Sequence, residues 1–188
     1  MLSFYQYINS QEYIIEAALG HAGVFAANKH EGQFRKMSGA PYITHPMKVV
    51  RILQSVGVKD EDLLVSAFLH DTLEDTNTSY DELKQEFSPD IAGLVKELTS
   101  SKEEIQRMGK TEYLSKHMAG MSQGALTIKL ADRLHNVSDL NTMKPAKAAQ
   151  YAQQTADILK YLRKQGSIQT NPQEKLVSQI NKSIIPFL

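Results

Sequence analysis

The chain contains no cysteine and no tryptophan. The first absence excludes a disulfide framework, a thiolate-zinc cluster and a cysteine nucleophile, so any bound metal must rest on His, Asp and Glu. Neither charge is in excess, because 21 Lys and Arg offset 21 Asp and Glu. Without an overall positive field, charge alone holds neither nucleic acid nor an anionic membrane, and any anion site must be local. No apolar run approaches the ~20 residues of a membrane-spanning helix, and the start at Met1 to Gln6 lacks the basic residues and long apolar stretch of a secretion signal; a cytoplasmic protein is the expectation. Glycine and proline are sparse, at 10 and 6 among 188 residues, and no internal repeat, low-complexity tract or Ser/Pro-rich linker divides the chain. What is present, 41% hydrophobic and 22% charged residues, suffices for one substantial core, and a single domain over 1–188 is expected.

Apolar residues recur at helical spacing in Ile14, Ile15, Ala18, Leu19 and Ala22, and again in Val49, Ile52, Leu53 and Val56. Further runs of this kind cover 62–73, 88–99, 109–120, 123–140, 145–164 and 173–184. Alternating runs of β-branched and aromatic residues are not found, so the pattern predicts an all-α bundle of about seven or eight helices. Ser88 followed by Pro89 reads as a capped helix start, and Lys144–Pro145 marks a second break. Residues 31–46 hold two Gly and two Pro between helical runs and read as a structured loop of the kind that carries binding groups. A connector is expected from about Gly166 to Pro172.

Three polar clusters interrupt this apolar pattern. In HDTLEDT, residues 70–76, His70 and Asp71 present two ligand types side by side, and Glu74 and Asp75 follow at helical spacing, so that all four could share one broad face. The dipeptide alone reads as an ordinary hydrogen-bonded pair, and the acids alone as a solvated helix end; three carboxylates this close would repel one another unless a cation compensated them. In IKLADRLHN, residues 128–136, Asp132 and Asn136 project from one helical face, where one could bind metal and the other orient a substrate. Read blandly, this is an exposed polar stripe. The third group is His45, just ahead of Pro46, where its ring can point into the bundle; alone it reads as a packing residue.

In order, His45, His70–Asp71 and Asp132 resemble the H…HD…D pattern of the HD-domain metal-dependent phosphohydrolases, an all-helical superfamily. Within it, the blocks GQFRKMSGAPYITHP (32–46), HDTLEDT (70–76) and IKLADRLHN (128–136) resemble the hydrolase domain of RelA/SpoT-type alarmone enzymes over roughly residues 20–165. The resemblance implies a single HD-domain helical bundle that hydrolyses guanosine tetra- and pentaphosphate, (p)ppGpp, at the 3′ position, releasing pyrophosphate and leaving GDP or GTP. It implies manganese, with His45, His70, Asp71 and Asp132 as ligands. Two imidazoles and two carboxylates would leave positions open on a six-coordinate ion. Glu74 and Asp75 match the family's water-activating acids, with the spacing leaving open which is the base. Asn136 is carried over as a contact near the ribose or 3′-phosphate, and Arg35, Lys36, Ser38 and Tyr151 as nucleotide contacts, Arg35 stacking on the base and Lys36 meeting phosphate. His135 is not made a ligand by the match.

Lys29, Arg35 and Lys36 together suggest a local anion site, against a plain reading as a solvated basic turn. Tyr151, at helical spacing, also reads as core. The loop departs from the common Arg-Lys-Ser-Gly form by an inserted Met37. The chain ends near the end of the hydrolase domain, so the resemblance is to stand-alone small alarmone hydrolases. The expected partner is a small-molecule substrate, with no nucleic acid and no membrane. Two other readings remain: the same chemistry on another nucleotide such as the NADPH 2′-phosphate, and a non-catalytic HD-fold binding module. The intact water-activating acids argue against the second. An antitoxin role is compatible with the chemistry but untested by the residues.

Overall fold

The computed structural model describes the backbone of residues 4–36 and 38–188, with side chains from residue 16 onward, so Met37 and the side chains of Ile14 and Ile15 lie outside the described residues. Among the described residues the chain forms eleven α-helices and two short 3-10 turns, without a β-strand. They run α1 (Phe4–Lys29), α2 (Thr44–Ser55), α3 (Glu61–Leu69), α4 (Thr72–Asp75), α5 (Tyr80–Glu86), α6 (Pro89–Leu98), α7 (Lys102–Met108), α8 (Lys110–Gly120), α9 (Gln123–Ser138), α10 (Pro145–Lys164) and α11 (Asn171–Ile184). The 3-10 turns follow α9, at Leu140–Thr142, and α11, at Ile185–Phe187.

Short polar side chains start many of these helices by accepting a free N–H of the first turn, each contributing about 1 kcal/mol. Asp60 caps α3, Ser88 caps α6 with Pro89 at the first helical position, and Ser122 caps α9. Thr170 and Gln173 form a reciprocal capping box on α11. The periodic runs each become a helix except 62–73, which breaks between α3 and α4, and α5 and α7 escape the pattern because seven or fewer residues show no repeat.

Helix α9 sits at the centre, packed against α2, α3, α6, α8, α10 and α11. Its Leu126, Ile128 and Leu130 are fully buried beside Leu53, Leu64, Leu98, Met118, Ile158 and Leu162, and each such side chain contributes roughly 1.5–3 kcal/mol. A smaller cluster under α1 joins Ala22 and Ala26 to Val65, Leu69, Leu83 and Val95. Buried Gln173 ties α11 to the start of α9: its Nε2 donates toward Gln123 O, Gln123 Oε1 and Thr127 Oγ1, while its Oε1 accepts from the N–H groups of Gln169 and Thr170.

Candidate active site

A helix surrounded on all sides should be apolar all round. Helix α9 is largely so, and among its polar residues Lys129, Asp132, Arg133 and Asn136, spaced three and four apart, align along one side. All four line one cavity of about 260 Å³. Opposite them the chain breaks between α3 and α4: His70 ends one helix and Asp71 starts the next. The expectation that His70, Asp71, Glu74 and Asp75 ride one continuous helix is thus corrected, since the turn at His70–Asp71 offsets the two segments. His45 stands in the first turn of α2, which begins at Thr44 rather than after His45, and is 1% exposed.

These elements bring the four expected metal ligands together. His45 Nε2 lies 3.2 Å from Asp132 Oδ1 and 3.6 Å from Asp71 Oδ2, and His70 Nε2 lies 3.0 Å from Asp71 Oδ2 and 4.0 Å from Asp132 Oδ1. The ligand atoms of His45, His70 and Asp132 all fall within 4.8 Å of one another. The His70 Nδ1–H donates to Ala67 O at 2.8 Å. Its Nε2, by contrast, is buried and turned toward the Asp71 carboxylate rather than toward a backbone group. Tyr42 adds an O–H donated to Asp71 Oδ2 at 2.6 Å.

Electrostatics in this cluster follow from burial opposed by charge. Burial alone would lower the His70 pKa, but the negative charges of Asp71 and Asp132 outweigh it and push the ring up to about 9. Burial would raise both aspartates, yet His70 and His45 hold Asp71 below the usual carboxylate range, and the His45 side-chain contact and the Lys129 charge each do the same for Asp132. Lys129, 3.7 Å from Asp132 Oδ2, stays charged against its burial because Asp132, Asp71 and Glu74 surround it. His135 behaves in the opposite way: burial, then the His45 and Arg35 charges, push its ring down to about 4. The site therefore offers two ionised carboxylates and a cationic wall.

Glu74 and Asp75 both line the inner cavity. Glu74 Oε2 accepts the Ser100 N–H at 2.9 Å. Asp75 is raised by burial and by the charges of Asp71 and Glu74. An outer cavity of about 400 Å³ adjoins the inner one, sharing Arg35, Tyr42, Asp75, Lys110, Asn136 and Tyr151, and adds Phe34, Lys36, Met143 and Lys147. Asn136 Nδ2 donates to Asp132 Oδ1 at 2.6 Å, while its Oδ1 accepts from Arg35 Nη2 at 3.0 Å; Arg35 also reaches Asp139 Oδ2 at 3.2 Å. Tyr151 stacks under the Arg133 guanidinium, 5.1 Å from the ring centre, which reconciles its core-like spacing with a place on the cavity wall.

The loop that carries Arg35 is a tight antiparallel turn. Arg35 N–H donates to Ala40 O at 2.8 Å, Phe34 pairs with Pro41, and Gly39 supplies the positive φ of 68° that closes it. Gln33 Nε2 anchors the loop to Asp75 O at 2.8 Å. Ser38 lies exposed at the tip, with its Oγ accepting the Ala40 N–H, and does not line either cavity. Lys29 is a correction: it pairs with Glu82 at 2.8 Å instead of joining Arg35 and Lys36. Sequence reasoning passed over Tyr42, Lys110, Lys129, Arg133 and Asp139. Lys129 and Arg133 were legible as neighbours of Asp132 on one helical face, whereas Lys110 gives no local signal.

A family model described as an HD domain matches residues 22–168. The Xenopus tropicalis protein named guanosine-3′,5′-bis(diphosphate) 3′-pyrophosphohydrolase MESH1 is 38% identical over 159 residues, covering 81% of this chain and 88% of its own length. The GTP pyrophosphokinase rsh of Brucella melitensis biotype 1 is 39% identical over 148 residues, a match spanning 76% of this chain and 20% of that protein. A solved structure, described as a metazoan ortholog of SpoT that hydrolyzes ppGpp and plays a role in starvation responses, superimposes with a TM-score of 0.75 at 30% identity, over 88% of this chain and 95% of its own.

Proposed function

The chain belongs to the HD-domain family, and on that premise we propose that it is a manganese-dependent (p)ppGpp 3′-pyrophosphohydrolase, converting ppGpp or pppGpp and water to GDP or GTP and pyrophosphate. The observation that carries this reading is one cavity in which His45, Asp71 and Asp132 meet Glu74, Asp75 and the cations Lys110, Lys129 and Arg133. The name of the MESH1 relative and the described activity of the solved structure support the substrate.

The residues fit a divalent cation. The buried His70 Nε2 faces only the Asp71 and Asp132 carboxylates, its other nitrogen is committed to Ala67 O, and the two aspartates are held ionised. His45, His70, Asp71 and Asp132 would hold the ion, a mixed imidazole and carboxylate set that a divalent transition metal such as manganese accepts. A cation there supplies positive charge that acidifies water and offsets the charge of phosphate oxygens.

Lys110, Lys129 and Arg133 receive the 3′-diphosphate, where a low-dielectric wall strengthens each contact. Glu74 or Asp75 takes the proton of the attacking water as its oxygen joins the 3′-linked phosphorus. The 3′-oxygen–phosphorus bond breaks, pyrophosphate leaves, and the ribose 3′-oxygen takes up a proton. The Ser100 N–H steadies Glu74, while burial and the charges of Asp71 and Glu74 raise Asp75 above the ordinary carboxylate range. Asn136, held between Asp132 and Arg35, is placed to meet the ribose side. Arg35 stacks on the base, Tyr151 closes the wall beside it and Lys36 meets outer phosphate, whereas Ser38, outside both cavities, makes no substrate contact.

A panel of ppGpp, GTP and NADPH at fixed manganese, with pyrophosphate and phosphate release followed, tests this reading. Preferential release of pyrophosphate from ppGpp is expected. Preference for NADPH would transfer the site to a different nucleotide, and manganese binding without turnover of any substrate would favour the binding-module reading.

A further inference from the structure

The two imidazoles of His45 and His135 meet nitrogen to nitrogen, Nδ1 to Nδ1 at 2.5 Å, with rings 4.8 Å apart and inclined by 29°. Both are buried, at 1% and 5% exposure. A contact this short between two ring nitrogens needs one donated proton, so one ring donates and the other accepts. The opposite nitrogen of His45, Nε2, faces Asp132 at 3.2 Å and Asp71 at 3.6 Å. A metal-binding Nε2 must be unprotonated, which puts the proton of neutral His45 on Nδ1 and makes His135 Nδ1 the acceptor. His70 is fixed in the same sense by a backbone carbonyl, Ala67 O at 2.8 Å. An apolar side chain at 135 would leave a buried N–H of His45 with no partner, and the ring would lose its preferred tautomer.

We propose that His135 is a positioning residue that holds His45 in the tautomer and orientation a metal ligand requires. This inference rests on the metal-site reading above. It predicts that the His135 ring in the folded protein carries its own proton on Nε2, leaving Nδ1 free to accept.

Ring nitrogen shifts of the histidines, recorded by NMR on the unmodified protein loaded with diamagnetic zinc, test the tautomers without any substitution. Nε2–H at His135 and Nδ1–H at His45 are expected; Nδ1–H at His135 would overturn the proposal. Manganese titration of H135F and H135Q, both checked for folding, provides the second arm. H135F should bind manganese roughly 10–100-fold more weakly than the unmodified protein, and H135Q, whose amide oxygen can accept the same proton, should recover most of that loss. Equal affinity in all three would overturn the proposal while leaving the metal site standing. If the unmodified protein itself bound no manganese, the metal-site reading would fall, and the proposal with it.

Discussion

Loading the metal-free protein with manganese at about pH 7.5 should release a proton from His70. Its ring faces two ionised aspartates and is raised to about 9, so at about pH 7.5 it is mostly protonated. Ligation requires the neutral ring, and that proton must leave. Asp71 and Asp132 add nothing to the count because both are held below the usual carboxylate range. Apparent manganese affinity should therefore rise about tenfold per pH unit up to about 9 and then level off. The same shift sets the stability of the metal-free form. A histidine raised above its ordinary value of 6.5 contributes stability that is fully present below about 6.5 and lost as pH rises through about 9. The metal-free protein should weaken on the alkaline side, and the loaded protein much less. Calorimetric titration in buffers of different ionisation enthalpy counts the proton directly. A heat of binding independent of the buffer at this pH would show that His70 is already neutral, refuting the ion-pair reasoning.

Asp71→Ala should abolish both manganese binding and turnover, and unchanged activity in a folded, metal-assayed variant would sink the ligand assignment. Glu74→Gln keeps an oxygen for the Ser100 N–H, so it should retain near-normal manganese while the rate falls by ~10²–10⁴; loss of metal with the fold intact would make Glu74 a ligand. Asp75→Asn is the paired measurement, and the acid whose loss costs more rate at unchanged metal content is the base. Gln173→Ala strips the buried clasp between α9 and α11, leaving several buried groups unpaired, and urea unfolding should show a loss of about 2–4 kcal/mol. A change below about 0.5 kcal/mol would mean that neighbouring groups or water replace the clasp.

The long helices were legible because their apolar faces repeat, and Ser88–Pro89 and Lys144–Pro145 marked starts that the structure keeps. Helices α4, α5 and α7 were not, since a helix of one or two turns lacks a period and depends on its neighbours. The break at His70–Asp71 fell inside one continuous apolar run for the same reason. The resemblance carried by the three sequence blocks picked out His45, His70, Asp71 and Asp132, and folding brings them into one cluster. What spacing could not supply was pairing across distance. His135 lies three residues beyond Asp132, yet its contact with His45 spans 90 positions of chain. Lys29 sat near Arg35 in sequence, but α5 presents Glu82 to it, and the ion pair draws it away from the cavity.

Incubating metal-stripped protein with ppGpp in ¹⁸O-labelled water, with and without restored manganese, tests the central claim most directly. GDP and pyrophosphate should form only when manganese is present, with one labelled oxygen in the pyrophosphate and none in the GDP. Bound manganese with no GDP formed, or equal turnover in the stripped protein, would contradict the account.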